Sequence, residues 1–224
     1  MSEKTYTVTI KEIEDVTHDV RRYVVDKPDG YTFTPGQATE VAINEEKWKE
    51  EKRPFTFTSL PEDDHLEFVI KSYHDHKGVT NKLDQLKVGD ELIIGDSWGA
   101  IHYKGPGWFI AGGAGVTPFI AILKKLANDG ALDGNRLLFS NKTSKDVIME
   151  DQFKAWLGDK FISTLTDEKK EGHLNRMIDK DLLKELIKDT SVNFYVCGPD
   201  QMVKDISAQL ESMGASPDGI VFEE

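Results

Sequence analysis

The stretch Gly107–Asp129 reads GWFIAGGAGVTPFIAILKKLAND. An apolar run, Trp108 to Ala111, breaks at Gly112-Gly113 and gives way to apolar residues at helical spacing from Phe119 onward. A buried strand, a glycine turn and a helix in that order predict the opening unit of a parallel sheet wrapped by helices. Glycines let a backbone turn tightly and approach a ligand closely. Pro118 suits the start of a helix, where no N–H donor is needed, and Thr117 is expected to cap it. The free N–H groups of such a helix start suit a pyrophosphate. The pattern is not G-x-G-x-x-G, because a proline stands where the third glycine would be. Taken alone, the turn reads equally well as a purely structural one.

Downstream the alternation continues. RLLFS, FISTLT, NFYVCG and GIVFEE read as strands, and MEDQFKAWLG, KDLLKELIKD and PDQMVKDISAQLESMG as helices. Cys197-Gly198-Pro199 ends one strand and opens a helix, which puts Cys197 at a strand's carboxyl end, where open α/β sheets bind ligands. The first half has a different grammar. YTVTIKEI, DVRRYVV, QATEVAIN, PFTFTS, HLEFVIKSY and DELIIG are short alternating or apolar runs separated by turn compositions such as KPDG and KVGD. Six strands with one helical insert, Thr80 to Leu86, predict a small antiparallel barrel. The expectation is a two-domain β plus α/β protein. An antiparallel β-barrel spans residues 1–104, and a parallel-sheet nucleotide-binding domain spans 105–224. The turn cluster at Lys104–Gly107 leaves no long linker, so the domains are expected to adjoin across a cleft.

Composition narrows the function classes. A formal net charge of -12 disfavours nucleic acid as a partner, and no basic block offsets it. No apolar run approaches the roughly 18 residues that would mark a membrane span. The start, MSEKTYTVTI, lacks the basic and apolar regions of a signal peptide, so a cytoplasmic location is expected. A single cysteine, Cys197, excludes an internal disulfide and a cysteine-built metal or iron–sulfur site. The six histidines include His74-Asp75-His76, which reads as a polar loop, and no metal site is expected.

Two further segments carry chemistry. Arg53–Ser59, RPFTFTS, sets a cation beside an aromatic residue and a run of hydroxyls. A guanidinium pairs with phosphate and a phenyl ring stacks on a flat ligand. Thr56 points to the opposite strand face from Phe55. Gly78-Val79-Thr80 precedes a short helix and offers a second anion-binding start. Each is weak alone. In order, R-P-F-T, G-V-T, G-G-A-G-V-T-P and C-G-P make a set that resembles the ferredoxin–NADP reductase superfamily of flavin oxidoreductases over nearly the whole chain.

The resemblance implies roles. Arg53 and Pro54 lie in the flavin-binding segment, with Arg53 on the phosphate and Phe55 stacked on the isoalloxazine in place of the usual tyrosine. Thr56 bonds its N5 edge. Gly78, Val79 and Thr80 match a second phosphate element whose spacing is one residue short. Ile70 and Tyr73 flank the cofactor. Gly113, Gly115, Val116, Thr117 and Pro118 match the pyridine-nucleotide loop. Cys197, Gly198 and Pro199 face the nicotinamide. Phe222 and Glu223 match an aromatic and a carboxylate near the flavin. Thr56, Cys197 and Glu223 are the catalytic candidates. The implied cofactor is FAD rather than FMN, with NAD(P)H as donor. In FSNKTSKDV no acidic residue ends the strand, so Ser140 and Lys142 can receive a 2′-phosphate. The same phrase also resembles a segment of NADH-using cytochrome reductases, and the donor stays open. The implied chemistry is hydride transfer from NAD(P)H to the flavin and electron transfer to a separate carrier, such as flavodoxin or ferredoxin. Two alternatives are a free-flavin or quinone reductase, and a non-catalytic flavin-holding subunit of a larger complex.

Overall fold

The computed structural model describes residues 4–75, 77–99 and 101–222. The contacts divide the chain into two compact units, Met1–Gly99 and Ala100–Glu224. That division falls short of the turn cluster at Lys104–Gly107. Residues 101–104 carry Tyr103, whose ring stacks on Phe109 and Tyr195 at 6.3 and 5.8 Å between centroids.

The first unit holds six strands: β1 (Tyr6–Asp15), β2 (Val20–Asp26), β3 (Ala38–Ile43), β4 (Arg53–Thr56), β5 (His65–Lys71) and β6 (Glu91–Ile94). A short helix, α1 (Val79–Leu83), stands between β5 and β6; it begins one residue earlier and stops three earlier than its apolar pattern suggests. Every pairing is antiparallel, in the order β4-β3-β6-β1-β2-β5. Alternation explains the barrel. Val8 and Ile10 of β1, Tyr23 and Val25 of β2, Val41 and Ile43 of β3, and Leu66, Phe68 and Ile70 of β5 all fill one core. Val79, Leu83 and Leu86 close one end of that core. The Tyr23 hydroxyl donates to the Leu83 carbonyl at 3.1 Å, tying α1 to β2. Burial pushes that hydroxyl's pKa up to about 12, so it remains a donor throughout the neutral range.

The barrel is nearly closed. Its terminal strands β4 and β5 meet only just past the end of β4. A bridge pairs Phe57 with Phe68, and the Thr58 N–H donates to the Glu67 carbonyl at 2.8 Å. Thr58 Oγ1 also donates to Glu67 at 2.8 Å, and the Glu67 N–H donates to Ser59 Oγ at 3.0 Å. Among the described residues, no ladder continues from this bridge back along β4. The strands therefore leave an open seam between Arg53–Thr56 and Val69–Ser72.

The second unit is a five-stranded, wholly parallel sheet in the order β11-β10-β7-β8-β9. In chain order it runs β7 (Gly107–Gly112), α2 (Thr117–Asn128), β8 (Arg136–Asn141), α3 (Glu150–Leu157), β9 (Phe161–Leu165), α4 (Lys180–Leu186), β10 (Asn193–Cys197), α5 (Asp200–Ser212) and β11 (Ile220–Phe222). Leu183 and Ile187 at α4, with Ile206 and Leu210 of α5, cover the face carrying Trp108, Ile110, Leu138, Phe194 and Val196. The other face carries Phe109, packed edge-on against Phe119 of α2, and Phe139, packed edge-on against Phe153 of α3. Helices thus lie on both faces, as parallel strands require. The chain starts at central β7, builds outward to β9, and returns to the other side of β7 as β10. That reversal is a topological switch point, the place where open α/β sheets bind ligands at the strands' carboxyl ends.

Candidate functional site

In the first unit the candidates gather along the open seam. β4 pairs with β3 in the register Val41↔Arg53, Glu40↔Pro54, Thr39↔Phe55 and Ala38↔Thr56. Strand alternation therefore groups Arg53 and Phe55 with Phe57 on the inward face, and Pro54 and Thr56 on the other. Exposure falls along the inward row: Arg53 is exposed, Phe55 half-buried against the core and Phe57 fully buried. On the opposite bank Ile70 is buried in the core, while Tyr73 is half exposed. The hydroxyl run of the β4 segment divides by task. Thr58 and Ser59 hold Glu67 at the bridge, whereas among the described residues nothing hydrogen-bonds the Thr56 hydroxyl.

Ser72 is a residue that sequence reasoning missed. Its N–H donates to the Asp19 carbonyl at 2.7 Å, but its hydroxyl is buried with no partner. A buried polar atom without a partner costs about 1–3 kcal/mol, so this hydroxyl suits a ligand's polar group at the seam. Arg53 leans on its own surroundings. Its guanidinium donates to the Lys52 carbonyl at 2.6 Å and lies 3.7 Å from Glu51. Half of its side chain stays in solvent, so among the described residues an incoming phosphate competes with one screened carboxylate. Gly78 precedes α1 without a side-chain cap, and a β-carbon there would meet nothing within 4 Å. Val79 is buried under α1 and Thr80 half-buried on it. A strand edge with free backbone groups, a cation at its rim, a half-buried aromatic ring and an orphaned hydroxyl fit a flat ligand carrying a phosphate.

In the second unit the candidates meet at the switch point. Cys197 pairs in register with Ala111, so the turns after β7 and β10 start side by side. Gly113–Val116 forms a 3₁₀ turn that runs directly into α2. This alters the expected cap. Thr117 is the first residue of α2 rather than its cap, and its hydroxyl donates back to the Ala114 carbonyl at 3.0 Å. The tight turn moved the helix start by one residue. Val116 and Pro118 are buried and anchor the turn, and Gly113 adopts φ +53°. Gly115 has a different reason for being glycine. A β-carbon there would lie 2.5 Å from the Cys197 carbonyl oxygen and 2.6 Å from Gly198 Cα. Cys197 is 8% exposed, Gly198 half-buried and Pro199 exposed just ahead of α5. Phe222 ends β11 opposite Val196 and is 38% exposed. Glu223 lies outside the described residues, as does His76.

At the carboxyl end of β8, Ser140 is half-buried and Lys142 exposed. Asn141 between them is 5% exposed, yet neither atom of its side-chain amide has a partner. That orphaned amide fits a nucleotide's polar edge. Carboxylates crowd the next residues. Asp146 accepts from the Thr143 N–H and hydroxyl at 2.8 and 2.7 Å. Glu168 accepts from the Ser144 N–H at 2.6 Å, and that N–H holds its carboxyl below the usual carboxylate range. The Asp167 N–H donates to the Lys142 carbonyl at 2.9 Å. The loop bringing Asp167 and Glu168 is laced to β9 by Leu165 N–H to Leu174 at 2.8 Å and by Asn175 to the Leu165 carbonyl at 3.0 Å.

A nearly closed antiparallel barrel followed by a doubly wound parallel sheet is the architecture of a class of two-domain redox proteins. The comparisons agree unit by unit. Residues 7–103 match the oxidoreductase FAD-binding domain and residues 109–208 the oxidoreductase NAD-binding domain. The chain belongs to the family of oxidoreductases that join these two domains, which includes ferredoxin–NADP reductase. It is 27% identical over 230 residues to NADH-cytochrome b5 reductase 2 of Mycosarcoma maydis, covering 92% of this chain and 65% of that protein. It is 28% identical to the reductase component of propane 2-monooxygenase from Rhodococcus jostii, covering 96% and 62%. The chain thus spans a little under two thirds of the length of these relatives. In fold it is similar to a Neisseria gonorrhoeae ferredoxin NADP+ reductase with bound FAD and NADP. That match has a TM-score of 0.86 at 21% identity and covers 98% of each chain. Among the described residues, no helix is long and apolar enough to cross a membrane.

Proposed function

We propose that this chain is an NAD(P)H-dependent flavoprotein reductase that passes electrons to a separate carrier. The observation behind it is the pairing of an open seam at Arg53–Thr56 with two glycine turns at a switch point, each on a unit that matches the corresponding cofactor-binding domain. Bound flavin would supply two-electron acceptance and one-electron release, which side chains cannot. The protein's part is to bind and orient. Arg53 neutralises phosphate at the rim of the seam. Phe55 supplies a face for the ring, and Ile70 excludes water from the opposite bank. Ser72 and the Thr56 hydroxyl offer hydrogen bonds to the ring's polar edge. Gly113 to Pro118 receive the pyrophosphate of the dinucleotide, Asn141 its adenosine half, and Cys197 to Pro199 the nicotinamide. Orientation of this kind contributes several kcal/mol to a barrier by proximity alone.

We further read NADH as the preferred donor. Just after Ser140 and Lys142, the residues offered for a 2′-phosphate, the Asp146 carboxylate holds the Thr143 N–H and the Glu168 carboxylate the Ser144 N–H. A dianionic phosphate there meets carboxylates, whereas a ribose hydroxyl can donate to one of them. Among relatives, names pair this architecture with cytochrome b5 or with ferredoxin. For this chain a small one-electron carrier is therefore the acceptor class, with ferredoxin and flavodoxin the first to assay.

The test is reconstitution with FAD and with FMN followed by equilibrium dialysis, for the native chain and for Arg53→Ala. The reading expects retained FAD in the native chain. It expects roughly tenfold weaker retention in the variant, the loss of about one charged hydrogen bond. Equal retention by both proteins would overturn the assignment of Arg53, and no retention by either would overturn the flavin reading.

A further inference from the structure

The loop after β9 leaves its strand at Leu165 and returns to it at Leu174. The Leu165 N–H donates to the Leu174 carbonyl at 2.8 Å, and the Leu174 N–H to the Ser163 carbonyl at 2.9 Å. Between these ends Thr166, Asp167 and Lys169 to Gly172 are exposed, while Glu168 is half-buried. The Thr166 and Asp167 N–H groups donate to the Asn141 and Lys142 carbonyls at 3.0 and 2.9 Å, which lays the start of the loop along the end of β8. Glu168 then accepts the Ser144 N–H through its carboxylate. Asn175 stands one residue beyond the return. Its Nδ2 lies 3.0 Å from the Leu165 carbonyl oxygen and 2.9 Å from the Glu168 carbonyl oxygen. Both partners are acceptors, so the donor end of the amide must face them, and its two N–H groups match the two carbonyls. One side chain thus ties the end of β9 to the backbone of the residue whose carboxylate holds Ser144.

We propose that Asn175 is a positioning residue for dinucleotide selectivity: it holds Glu168 in place, and so disfavours a donor that carries a 2′-phosphate. The inference rests on the reading of Glu168 as a selector given above. A glutamate side chain is long and rich in rotamers, and ordering it costs entropy. Here both ends of the residue are held, the carboxylate by the Ser144 N–H and the backbone by the Asn175 amide. The amide is neutral, so it acts through Glu168 and adds no charge of its own. Without it the exposed loop loses its tie at Glu168, and a carboxylate free to swing into solvent repels a phosphate less. The return of the loop has a separate anchor. The His173 side chain is 4% exposed, its Nδ1 lies 2.9 Å from Ser163 Oγ, and its Nε2 lies 3.4 Å from Glu150. Loss of the exposed Asn175 side chain therefore frees Glu168 without unseating the loop.

The experiment compares four full FAD-loaded chains: native, Glu168→Gln, Asn175→Ala and the double variant. Calorimetry measures the affinity of each for NAD+ and for NADP+, steady-state kinetics with ferricyanide as acceptor give kcat and KM, and urea unfolding checks stability. Asn175→Ala should lower the ratio of the NADP+ Kd to the NAD+ Kd about threefold, the size of one neutral hydrogen bond, chiefly through tighter NADP+ binding. Its kcat with NADH should be unchanged, because the effect lies in binding. The double variant should fall no further than Glu168→Gln, since with the carboxylate gone the amide has nothing left to position. An unchanged ratio in Asn175→Ala beside a lowered one in Glu168→Gln would overturn the proposal. So would additive effects in the double variant. Equal weakening of both nucleotides in Asn175→Ala would mark a purely structural role and overturn it too. An unchanged ratio in Glu168→Gln itself would instead refute the selector reading, and the inference with it.

Discussion

Replacing Gly115 with alanine tests at atomic scale the turn proposed for the dinucleotide. The new β-carbon would sit 2.5 Å from the Cys197 oxygen and 2.6 Å from both its carbonyl carbon and Gly198 Cα. Ordinary contact starts at 3.4 Å, so these groups must separate by 3.4 − 2.5 = 0.9 Å. All three neighbours are backbone, and no rotamer change relieves the overlap. β10 cannot slide to make room, since it is bonded to β7 on one side and β11 on the other. Overpacking of this kind costs about 1–3 kcal/mol, and rigid neighbours place this case at the upper end. The displaced atoms belong to both turns, so affinity should fall with stability. A loss of about 1.4 kcal/mol in binding is tenfold. Gly113→Ala is the control: it meets nothing within 4 Å and carries only the strain of φ +53°, about 1–2 kcal/mol. Urea unfolding and calorimetric NAD+ titration of both variants decide the matter. Gly115→Ala should lose roughly tenfold or more in affinity with FAD retention unchanged, and Gly113→Ala clearly less. Native affinity in Gly115→Ala, or equal losses in the two variants, would refute the packing argument.

Glu168→Gln removes a carboxylate beside Ser144 but keeps an acceptor for its N–H. The NADH-to-NADPH ratio of kcat/KM should fall about threefold to tenfold, chiefly through a lower KM for NADPH. An unchanged ratio would count against Glu168 as the selector. Acid should destabilise the barrel through Asp19. Burial alone would raise its pKa, but Lys71 at 2.9 Å and the Thr17 hydroxyl hold it below the ordinary 3.8. A depressed carboxyl contributes stability above its unfolded value and loses it as pH falls through its folded value. Urea midpoints should therefore hold steady from neutral pH to about 5 and drop below about 4, less steeply in Asp19→Asn. Parallel curves for native and variant would remove Asp19 from the account.

Much of this was legible in the sequence, for local reasons. Strand alternation in YTVTIKEI and HLEFVIKSY shows on the page which residues fill the barrel, and the glycine break at Gly112 marks where β7 ends. What stayed hidden is non-local. The seam beside Arg53 exists because β4 and β5 cross at Phe57 and Phe68 and then part, a fact of pairing between strands that alternation cannot express. The sequence has no acid at the end of β8; a carboxylate reaches the Ser144 N–H from Glu168, on a later loop. Ser72 and Asn141 look like ordinary polar residues until burial strips them of partners. Thr117 shows the opposite failure. Its position before a helical pattern reads as a cap, but the preceding 3₁₀ turn takes the helix start from it.

The central claim is that this chain carries an electron pair from a pyridine nucleotide to a bound flavin. Anaerobic stopped-flow mixing of the FAD-loaded protein with NADH and with NADPH, followed through the flavin's visible absorbance, tests it most directly. The account predicts bleaching with both, faster with NADH, and recovery of the colour when a one-electron acceptor is added. A chain that retains FAD but shows no bleaching with either nucleotide would contradict it.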